Sequence, residues 1–310
     1  MLNIQKNVKL ADHSTFKIGG PAKEFVFVES EEDLIGAINY AKNNNLKLFI
    51  LGGGSNVLFD DRGFNGLAIQ MRNVKYEIGD NIIECGAGLL LSNAVNIARE
   101  NNLSGFEWAV GIPGTIGGAV RGNAGAFGKT IADFVIEVKS YDVSNQKIVN
   151  YHPGDCDFNY RESIFKQNNG LIILSAKIRL KNGDKDKIQA KIDKILKKRS
   201  EKQPKSWFGN AGSFFMNPVV ADKDLINKFE KETGSKIVGN RISAGWLIEE
   251  AQLKGKKIGN ISVSNINANF LVNNGGGTME EVLTVSGIIK QKVKVRFGID
   301  LKEEIRIIYY

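Results

Sequence analysis

The sequence predicts an α+β protein made of three domains, residues 1–74, 75–201 and 202–310. Patterns typical of strands and helices alternate in the first part of the chain and start again near residue 75. In both parts a glycine-rich loop follows a strand-like run. A lysine-rich helix then ends near Lys202, just before Pro204, and marks the start of the third domain.

The first domain contains a strand, a helix and a second strand. Residues 25–28 and 48–51 are apolar runs typical of buried strands. Between them, Ser30 is expected to cap a helix, with Asp33 at the capping-box position. The second strand leads directly into a glycine loop, residues 52–56. Because ligands of open α/β sheets bind beyond the carboxyl ends of strands, this loop is a candidate binding site.

The second domain repeats this alternation with longer elements. Residues 82–85 predict a strand, and residues 90–99 predict an amphipathic helix. Further strands are expected around 135–141 and 171–180, and a helix over 184–200. The basic end of that helix is expected to be an exposed last turn, where cations interact favourably with the helix dipole.

The third domain is predicted mainly from helix-capping signals. Helices are expected over 222–233 and 244–250, the second with Ser243 as its N-cap. A longer helix is expected from the cap Thr278 to Gly298. Residues 269–273 and 301–306 are expected to be strands. In the latter, alternation predicts one face formed by Leu301, Glu303, Ile305 and Ile307, and another formed by Lys302, Glu304 and Arg306.

Residues 111–128, the glycine stretch, are the strongest sign of a ligand site. Seven of these 18 residues are glycine, which lets backbone N–H groups approach a phosphate without Cβ atoms in the way. Two familiar phosphate motifs fail by one residue each, because Asn123 and Leu91 stand where a P-loop and a dinucleotide fingerprint need glycine. A structural loop packed on a sheet is the alternative, and the second glycine loop argues against it.

Composition favours a small acidic ligand. The net charge of +8 over 310 residues suits nucleic acid or an acidic small molecule, and aromatic residues do not alternate with the basic ones as in a stacking platform. The only cysteines and histidines are Cys85, Cys156, His13 and His152, too few for a disulfide framework or a metal cluster. Without a signal peptide or an apolar run of ~20 residues, a cytoplasmic location is expected.

Eight motifs occur in order along the chain, and together they resemble the bacterial UDP-N-acetylenolpyruvoylglucosamine reductases. The motifs are TFKIGGPA, LGGGSNVLF, GIPGTIGGAVRGNAGAFG, NYRESIFK, GNAGSFFMNP, RISAGWLIEEAQLKG, NANFLVN and LKEEIR. The resemblance implies an FAD-binding fold of the vanillyl-alcohol-oxidase type. In it, subdomains 1–74 and 75–201 would surround FAD, and residues 202–310 would form an α+β substrate-binding domain.

The resemblance also implies a reaction and its cofactors. Enzymes of this family use NADPH and non-covalently bound FAD to reduce UDP-N-acetylglucosamine enolpyruvate to UDP-N-acetylmuramate, a peptidoglycan precursor. NADPH would use the substrate pocket in turn. The residues implied to hold FAD lie in the two glycine-rich segments: Gly52, Gly53, Gly54, Ser55, Asn56, Gly111, Pro113, Gly114, Thr115, Gly117, Gly118, Asn123, Ala124 and Gly125.

Three catalytic residues are implied as well. Ser213 of the GNAGSFF motif is similar to the general acid that protonates C2 of the enolpyruvyl group, after reduced flavin has given hydride to C3. Arg161 of NYRESIFK and Glu304 of LKEEIR are similar to the groups that stabilise the enolic intermediate. Lys202 and Asn217 are similar to substrate-binding residues. No metal is implied.

Other readings of the same residues remain open. Ser213 could cap a turn, Arg161 could form an ion pair with a nearby acid, and Glu304 could be a solvent-facing strand residue. Two other functions compete with the reductase. One is a sugar or alcohol oxidase of the same fold, which would not need a proton donor for C2. The other is a basic nucleic-acid-binding protein, suggested by the charge alone.

The chain departs from the family pattern at two positions and in the length of one segment. Met216 and Asn267 stand where many relatives carry lysine and histidine, which puts substrate contacts there in doubt. The segment from Arg161 to Lys202 is short and lacks the tyrosine-bearing loop of one subgroup. The chain therefore resembles the shorter second type, and a monomer that binds neither nucleic acid nor a membrane is expected.

Overall fold

The computed structural model describes residues 2–204 and 208–310 and forms two compact units. Unit 1 is built from Met1–Val8, Ala22–Gly54 and Phe64–Arg199. Unit 2 is built from Lys9–Pro21, Ser55–Gly63 and Ser200–Tyr310. Unit 2 thus includes two segments from the first 74 residues. The division of the chain into domains 1–74, 75–201 and 202–310 stays a prediction.

Unit 1 contains two larger sheets. In the four-stranded sheet the strand order is Gln5–Lys9, Pro21–Val28, Phe64–Met71 and Lys47–Leu51, and the last three strands are parallel. The five-stranded sheet is antiparallel, in the order Lys147–Tyr151, Val135–Asp142, Leu171–Arg179, Ile82–Gly86 and Tyr76–Gly79. Two short antiparallel pairs join Gly125–Ala126 to Lys129–Thr130, and Leu103–Ser104 to Lys181–Asn182.

The first α-helix begins where its capping signal predicted. Ser30 accepts a hydrogen bond from the N–H of Asp33 at 3.1 Å and caps this helix. The α-helices before residue 203 are Glu31–Asn43, Leu91–Glu100, Ile116–Arg121, Ile164–Gln167 and Lys185–Lys202. Short 3-10 helices lie at Leu10–His13, Glu107–Ala109, Ile131–Asp133 and Pro153–Asp155.

Unit 2 combines three α-helices with short strands in its described residues. Lys223–Thr233, Ala244–Glu250 and Met279–Phe297 are the helices. The predicted caps Ser243 and Thr278 are confirmed, since both side chains accept N–H bonds, and Gly298 ends the last helix at φ 70°. Asp222, predicted as the first residue of a helix, is instead its N-cap. Lys257–Ile258, Ile261–Val263 and Leu271–Asn273 form an antiparallel sheet. Val57–Phe59 pairs in parallel with Arg306–Ile308.

The prediction of a strand over residues 301–306 is wrong in its extent. The strand is Arg306–Ile308, and Glu303 makes only an isolated bridge to Phe215. Leu301, Ile305 and Ile308 are buried, a spacing that does not follow the predicted alternation. The physical reason is the partner, because Val57–Phe59 offers only three residues for pairing.

The core of unit 2 encloses the aromatic part of the serine motif, residues 209–218. Phe214 and Phe215 are each 1% exposed, and their rings meet edge to face with centroids 5.0 Å apart. They belong to one apolar cluster with Phe16, Ile18 and Leu58, which come from the two N-terminal segments of this unit. Burial of these rings anchors the backbone beside Ser213.

Candidate active site

The two glycine-rich segments of unit 1 meet at Gly52 and Gly53. A Cβ atom on Gly52 would lie 2.6 Å from Oγ1 of Thr115, and one on Gly53 would lie 3.0 Å from Cα of Gly114. Nε2 of Gln70 donates to the Gly52 carbonyl at 3.0 Å and helps fix the loop. Glycine is therefore required here for the close approach of two backbones.

Thr115 begins a short helix in the middle of the glycine stretch. Its Oγ1 accepts the N–H of Gly118 at 3.3 Å. The N–H of Gly117 donates to the Ala87 carbonyl at 2.9 Å, and a Cβ on Gly117 would lie 2.8 Å from Cβ of Ala87. Gly118 differs, since a Cβ there would meet only Oγ1 of Thr115, at 3.6 Å. Of these two neighbouring glycines, one is needed for packing and the other is not.

At the start of the stretch, Gly111 packs against a half-buried arginine. Gly111 has φ 72°, and a Cβ there would lie 3.1 Å from Nε of Arg199. Burial lowers the pKa of Arg199, although the guanidinium stays charged because its pKa begins so high. Pro113 follows two residues later and Gly114 has φ 120°. The backbone of this part is thus set by residues with special backbone preferences.

The end of the glycine stretch is tied to the turn that carries Arg161. Asn123 is 5% exposed, and its Nδ2 donates to the Asn159 carbonyl at 2.8 Å while its Oδ1 accepts the N–H of Ala132 at 3.3 Å. One guanidinium nitrogen of Arg161 donates to the Gly125 carbonyl at 3.2 Å. The structure therefore brings Arg161 to the glycine stretch. This contact could not be predicted from either segment alone. Ala124 lies between the two tied residues.

Arg161 has a backbone conformation that is uncommon outside glycine. It occupies a two-residue turn between Asn159 and Glu162, which exchange backbone hydrogen bonds at 3.1 and 3.2 Å. Its φ is 58°, in the left-handed region. Nζ of Lys166 donates to the Arg161 carbonyl at 2.7 Å and helps hold this turn.

In unit 2 the structure brings the segments of Ser213 and Glu304 together. The N–H of Glu304 donates to the carbonyl of Phe214 at 2.8 Å, so the two predicted catalytic residues belong to adjacent, hydrogen-bonded segments. Ser213 follows Gly212, whose φ is 75°. Among the described residues the Ser213 hydroxyl has no hydrogen-bond partner, which leaves its proton available to a ligand.

Ser55 and Asn56, predicted with the cofactor residues, fall in the part of the glycine loop that belongs to unit 2. Nδ2 of Asn56 donates to the Glu304 carbonyl at 3.2 Å. The Asn56 carbonyl accepts the N–H of Arg306 at 3.0 Å. Gly54, with φ 64°, is the last residue of its segment in unit 1. Asn56 therefore supports the segment that carries Glu304.

The two predicted substrate-binding residues differ in their surroundings. Oδ1 of Asn217 accepts the N–H of Ala244 at 3.0 Å. The backbone carbonyl of Asn217 accepts a guanidinium N–H of Arg241 at 2.9 Å. Lys202 is exposed at the end of the helix Lys185–Lys202. Asn217 is therefore held by its own unit, whereas Lys202 lies at a helix end.

The two departures from the family pattern also have defined contacts. The N–H of Met216 donates to the Lys302 carbonyl at 2.9 Å. Oδ1 of Asn267 accepts the N–H of Asn269 at 3.0 Å. Both residues thus take part in the backbone hydrogen bonding around the serine motif.

Neither cysteine is suited to nucleophilic chemistry. Cys85 and Cys156 are both fully buried, and burial raises the pKa of each thiol to about 12. The thiolate is the reactive form, so both side chains act as small apolar residues. Within residues 2–204 and 208–310, no group of three or more His, Cys, Asp or Glu side chains could hold a metal ion.

A cavity of about 770 Å³ lies in unit 1 away from the predicted cofactor residues. Its walls include Trp108, Phe134 and Lys191. From the glycine stretch only Phe127 reaches it, and no residue predicted to bind FAD lines it. In the part of the chain that the structure describes, no helix has the length and apolar character needed to cross a membrane.

Comparisons with known proteins cover nearly the whole chain. Residues 22–151 match the FAD binding domain, and residues 203–308 match the UDP-N-acetylenolpyruvoylglucosamine reductase C-terminal domain. The reductase of Clostridium novyi is 36% identical over 98% of this chain and 92% of its own length, and that of Clostridium beijerinckii is 39% identical with the same coverage. The crystal structure of the reductase from Thermus caldophilus is 29% identical, covers 99% of this chain and 100% of its own, and superposes with a TM-score of 0.79.

These matches confirm the predicted α+β class, with an FAD-binding part followed by a C-terminal reductase domain. Sequence reasoning missed several residues that build the site, among them Gln70, Lys166 and Asn269. Their roles are side chain–backbone hydrogen bonds, which Gln70 and Asn269 make to other segments and Lys166 makes within its own motif. No local signal in the sequence could have found the bonds of Gln70 and Asn269, because their partners lie far along the chain.

Proposed function

We propose roles for individual residues in the reaction of this chain, which belongs to the family of UDP-N-acetylenolpyruvoylglucosamine reductases. The reaction is the reduction of UDP-N-acetylglucosamine enolpyruvate to UDP-N-acetylmuramate, a step in peptidoglycan precursor synthesis. FAD is the cofactor and NADPH the reductant. The substrate is a small, acidic sugar nucleotide, consistent with the basic charge of the chain.

The glycine segments of unit 1 fit the pyrophosphate and flavin of FAD. The observation that supports this is the crowding at Gly52 and Gly53, where any Cβ would collide with Thr115 or Gly114. Backbone N–H groups in such bare loops can surround a phosphate. We assign to FAD the predicted set: Gly52, Gly53, Gly54, Ser55, Asn56, Gly111, Pro113, Gly114, Thr115, Gly117, Gly118, Asn123, Ala124 and Gly125. When bound, FAD supplies the hydride that reduces C3 of the enolpyruvyl group.

Ser213 is the proton donor to C2 in this proposal. A serine hydroxyl is a weak acid in water, so its value lies in being held at the reacting carbon. The observation that carries the assignment is the bond from the Glu304 N–H to the Phe214 carbonyl, because it aligns the Glu304 segment with the residue next to Ser213. Two residues implied by distant motifs are thereby neighbours.

Arg161 and Glu304 stabilise the enolic intermediate. Negative charge develops on the carboxylate and C2 side of the substrate, and a fixed guanidinium near it contributes about 3 kcal/mol, the range found for such preorganised donors. The turn at φ 58° and the bond to Gly125 hold Arg161 in place before the substrate arrives. Glu304 takes its part in this stabilisation from the segment whose N–H binds the Phe214 carbonyl, next to the proton donor.

Lys202 and Asn217 bind the substrate away from the reacting carbons. Lys202 offers a compact cation on a flexible stem, which suits a diphosphate. Asn217 offers the amide donor Nδ2 on a side chain that its contact with Ala244 holds in place. NADPH uses the same pocket before the sugar nucleotide does.

The oligomeric state and location are also proposals. We infer a monomer in the cytoplasm that binds neither nucleic acid nor a membrane. Light scattering of the purified FAD-loaded protein measures its molar mass and so tests whether it is a monomer. A mass of two or more chains at micromolar concentration would contradict it.

The decisive experiment separates the two half-reactions in Ser213→Ala. Flavin reduction by NADPH should be unchanged, because no proton reaches C2 in that step. Oxidation of the reduced flavin by the enolpyruvyl substrate should slow by about 100-fold or more, the effect of a positioned general acid. Stopped-flow absorbance of the flavin band measures both rates.

Ser235→Ala is the matched control, because Ser235 is an exposed serine of the same unit. It should leave both half-reactions at their original rates. If Ser213→Ala slows the two half-reactions equally, or slows neither, the general-acid role is wrong.

A further inference from the structure

A single buried asparagine holds the backbone that carries the proton donor. We propose that Asn269 is a positioning residue for Ser213, acting through the backbone of Phe214 and Phe215. The proposal rests on the role proposed for Ser213. Asn269 itself touches neither the substrate nor the cofactor in this proposal.

Asn269 makes three hydrogen bonds to two consecutive residues. Its backbone carbonyl accepts the N–H of Phe214 at 2.7 Å. Its side-chain Oδ1 accepts the N–H of Phe215 at 2.9 Å, and its Nδ2 donates to the carbonyl of Phe215 at 2.8 Å. The side-chain amide thus does what a partner strand would do, with donor and acceptor together. Of the side chains of this size, only asparagine offers both.

The low exposure of Asn269 makes these bonds costly to lose. The residue is 5% exposed and Phe215 is 1% exposed. A buried carbonyl or N–H that loses its partner is left without water to replace it. The segment can then recover its hydrogen bonds only by moving. Any such movement shifts Ser213, because Ser213 precedes Phe214 directly in the chain.

Hydrogen bonds hold the serine motif on both edges after Ser213, and others hold the residues before it. Asn269 holds one edge, and Glu304 holds the other through its N–H bond to the Phe214 carbonyl at 2.8 Å. On the preceding side lies Gly212 at φ 75°, where a Cβ would meet nothing within 4 Å. The Gly212 N–H nevertheless donates to Oδ1 of Asn210 at 3.0 Å, and the Asn210 N–H donates to the Thr15 carbonyl at 3.0 Å. The bonds to Phe214 and Phe215 therefore hold the motif on the C-terminal side of Ser213.

Asn267 extends this arrangement by one step. Its Oδ1 accepts the N–H of Asn269 at 3.0 Å, and its own N–H donates to Oγ of Ser264 at 3.3 Å. In this chain, Asn267 thus fixes the backbone of Asn269 and helps orient the amide that binds Phe215.

The test is a double-mutant cycle in the FAD-loaded full chain. Asn269→Asp keeps the shape and one acceptor but loses the donor to the Phe215 carbonyl. It should slow the oxidation of reduced flavin by the enolpyruvyl substrate by about 10- to 100-fold, the loss expected for a small misplacement of a reacting group. Flavin reduction by NADPH should not change. In the Ser213→Ala background, Asn269→Asp should cost less than about twofold, because Ser213 is the group through which it acts.

Asn273→Asp is the control. Asn273 is 4% exposed, and its Nδ2 donates to the Phe16 carbonyl at 3.1 Å, so the change is chemically the same. It should affect thermal stability as Asn269→Asp does, while the ratio of the two half-reaction rates stays the same. If Asn269→Asp does not fold, Asn267→Ala removes the acceptor for the Asn269 N–H. Asn267→Ala should slow the oxidation of reduced flavin by the enolpyruvyl substrate, by a smaller factor than Asn269→Asp.

The outcomes separate this inference from the role of Ser213. If Ser213→Ala leaves the oxidative half-reaction unchanged, the proposed function of Ser213 fails first. If Ser213→Ala slows that step but Asn269→Asp costs the same factor with and without the serine, Asn269 acts elsewhere and the positioning role is wrong. Equal loss of both half-reactions in Asn269→Asp also overturns it.

Discussion

The crowded glycines of unit 1 and the amide side chains around the serine motif of unit 2 hold their surroundings by different means. In unit 1, Gly52, Gly53 and Gly117 leave out side chains so that backbones approach closely. In unit 2, Asn269 and Asn217 add side-chain amides that bond to backbone groups. The first arrangement fails when an atom is added. The second fails when a donor or acceptor is removed.

The largest effect is expected for Gly117→Ala in unit 1. The new Cβ would lie 2.8 Å from Cβ of Ala87, in a buried region that cannot expand freely. Overpacking of this kind costs about 1–3 kcal/mol. We expect a lower melting temperature of the apoprotein and FAD affinity weaker by about tenfold or more, since about 1.4 kcal/mol corresponds to a factor of ten. Calorimetry and FAD titration measure the two quantities.

Gly118→Ala is the matched change one residue further along the same helix. Its Cβ would meet only Oγ1 of Thr115 at 3.6 Å, and alanine is favoured over glycine in helices by about 1 kcal/mol. We expect no loss of apoprotein stability. FAD binding should be weaker, because the added methyl group lies in the predicted cofactor site. Equal destabilisation by the two alanines would contradict the packing difference between these glycines.

A smaller and more selective effect is expected for Asn217→Asp in unit 2. The carboxylate still accepts the N–H of Ala244, so the melting temperature should stay close to its original value. Exchange of the amide donor for a carboxylate should raise KM for the acidic sugar nucleotide by about tenfold, with little change in kcat, the pattern of a residue that binds ground state and transition state alike. Steady-state kinetics measure both constants.

Asn217→Ala provides the comparison. It removes the acceptor as well and should lower the free energy of unfolding by about 1 kcal/mol. If Asn217→Asp leaves KM unchanged while Asn217→Ala lowers stability, Asn217 is a structural residue only.

The smallest effect is expected for Asp60→Asn, and it should depend on pH. The Arg62 side chain, followed by the backbone N–H groups of Arg62 and Tyr310, lowers the pKa of Asp60 to about 2. A lowered pKa stabilises the fold above the ordinary carboxylate range and loses that stabilisation as pH falls toward about 2. Because the Arg62 side chain is 70% exposed, we expect only about 1 kcal/mol at neutral pH.

Urea unfolding of the original chain and the Asp60→Asn variant, from neutral pH down to about pH 2, measures this difference. The two stability curves should converge at the acidic end, where Asp60 in the original chain becomes protonated. Asn269→Ala is the comparison from unit 2, because it removes a neutral amide whose hydrogen bonds do not titrate, and its curve should show no such convergence. A gap between the original chain and Asp60→Asn that stays constant over the whole pH range would contradict the assigned charge effect.

Elements with local signals could be predicted from the sequence. Ser30, Ser243 and Thr278 each cap a helix, because a cap is formed between residues close together in the chain. The glycine stretch was also recognisable, since crowding between backbones requires glycine regardless of the rest of the fold.

Features that depend on a distant partner could not be predicted. The strand at Arg306–Ile308 was misplaced because its pairing with Val57–Phe59 leaves no trace in its own alternation. The left-handed turn at Arg161 and the amide bonds of Asn269 to Phe215 likewise need both segments in view. The motif resemblance supplied the candidate catalytic residues, but not the contacts that hold them.

Protein synthesis sets the order in which the two halves of this parallel pair become available. Val57–Phe59 leaves the ribosome about 250 residues before Arg306–Ile308, which at ordinary translation rates is roughly 10–50 s. Throughout that interval an apolar strand, which is almost fully buried in the finished protein, has no strand partner. Until the later strand is made, this short apolar segment cannot form its final pairing. Completion of unit 2 is a late event in the biogenesis of the enzyme.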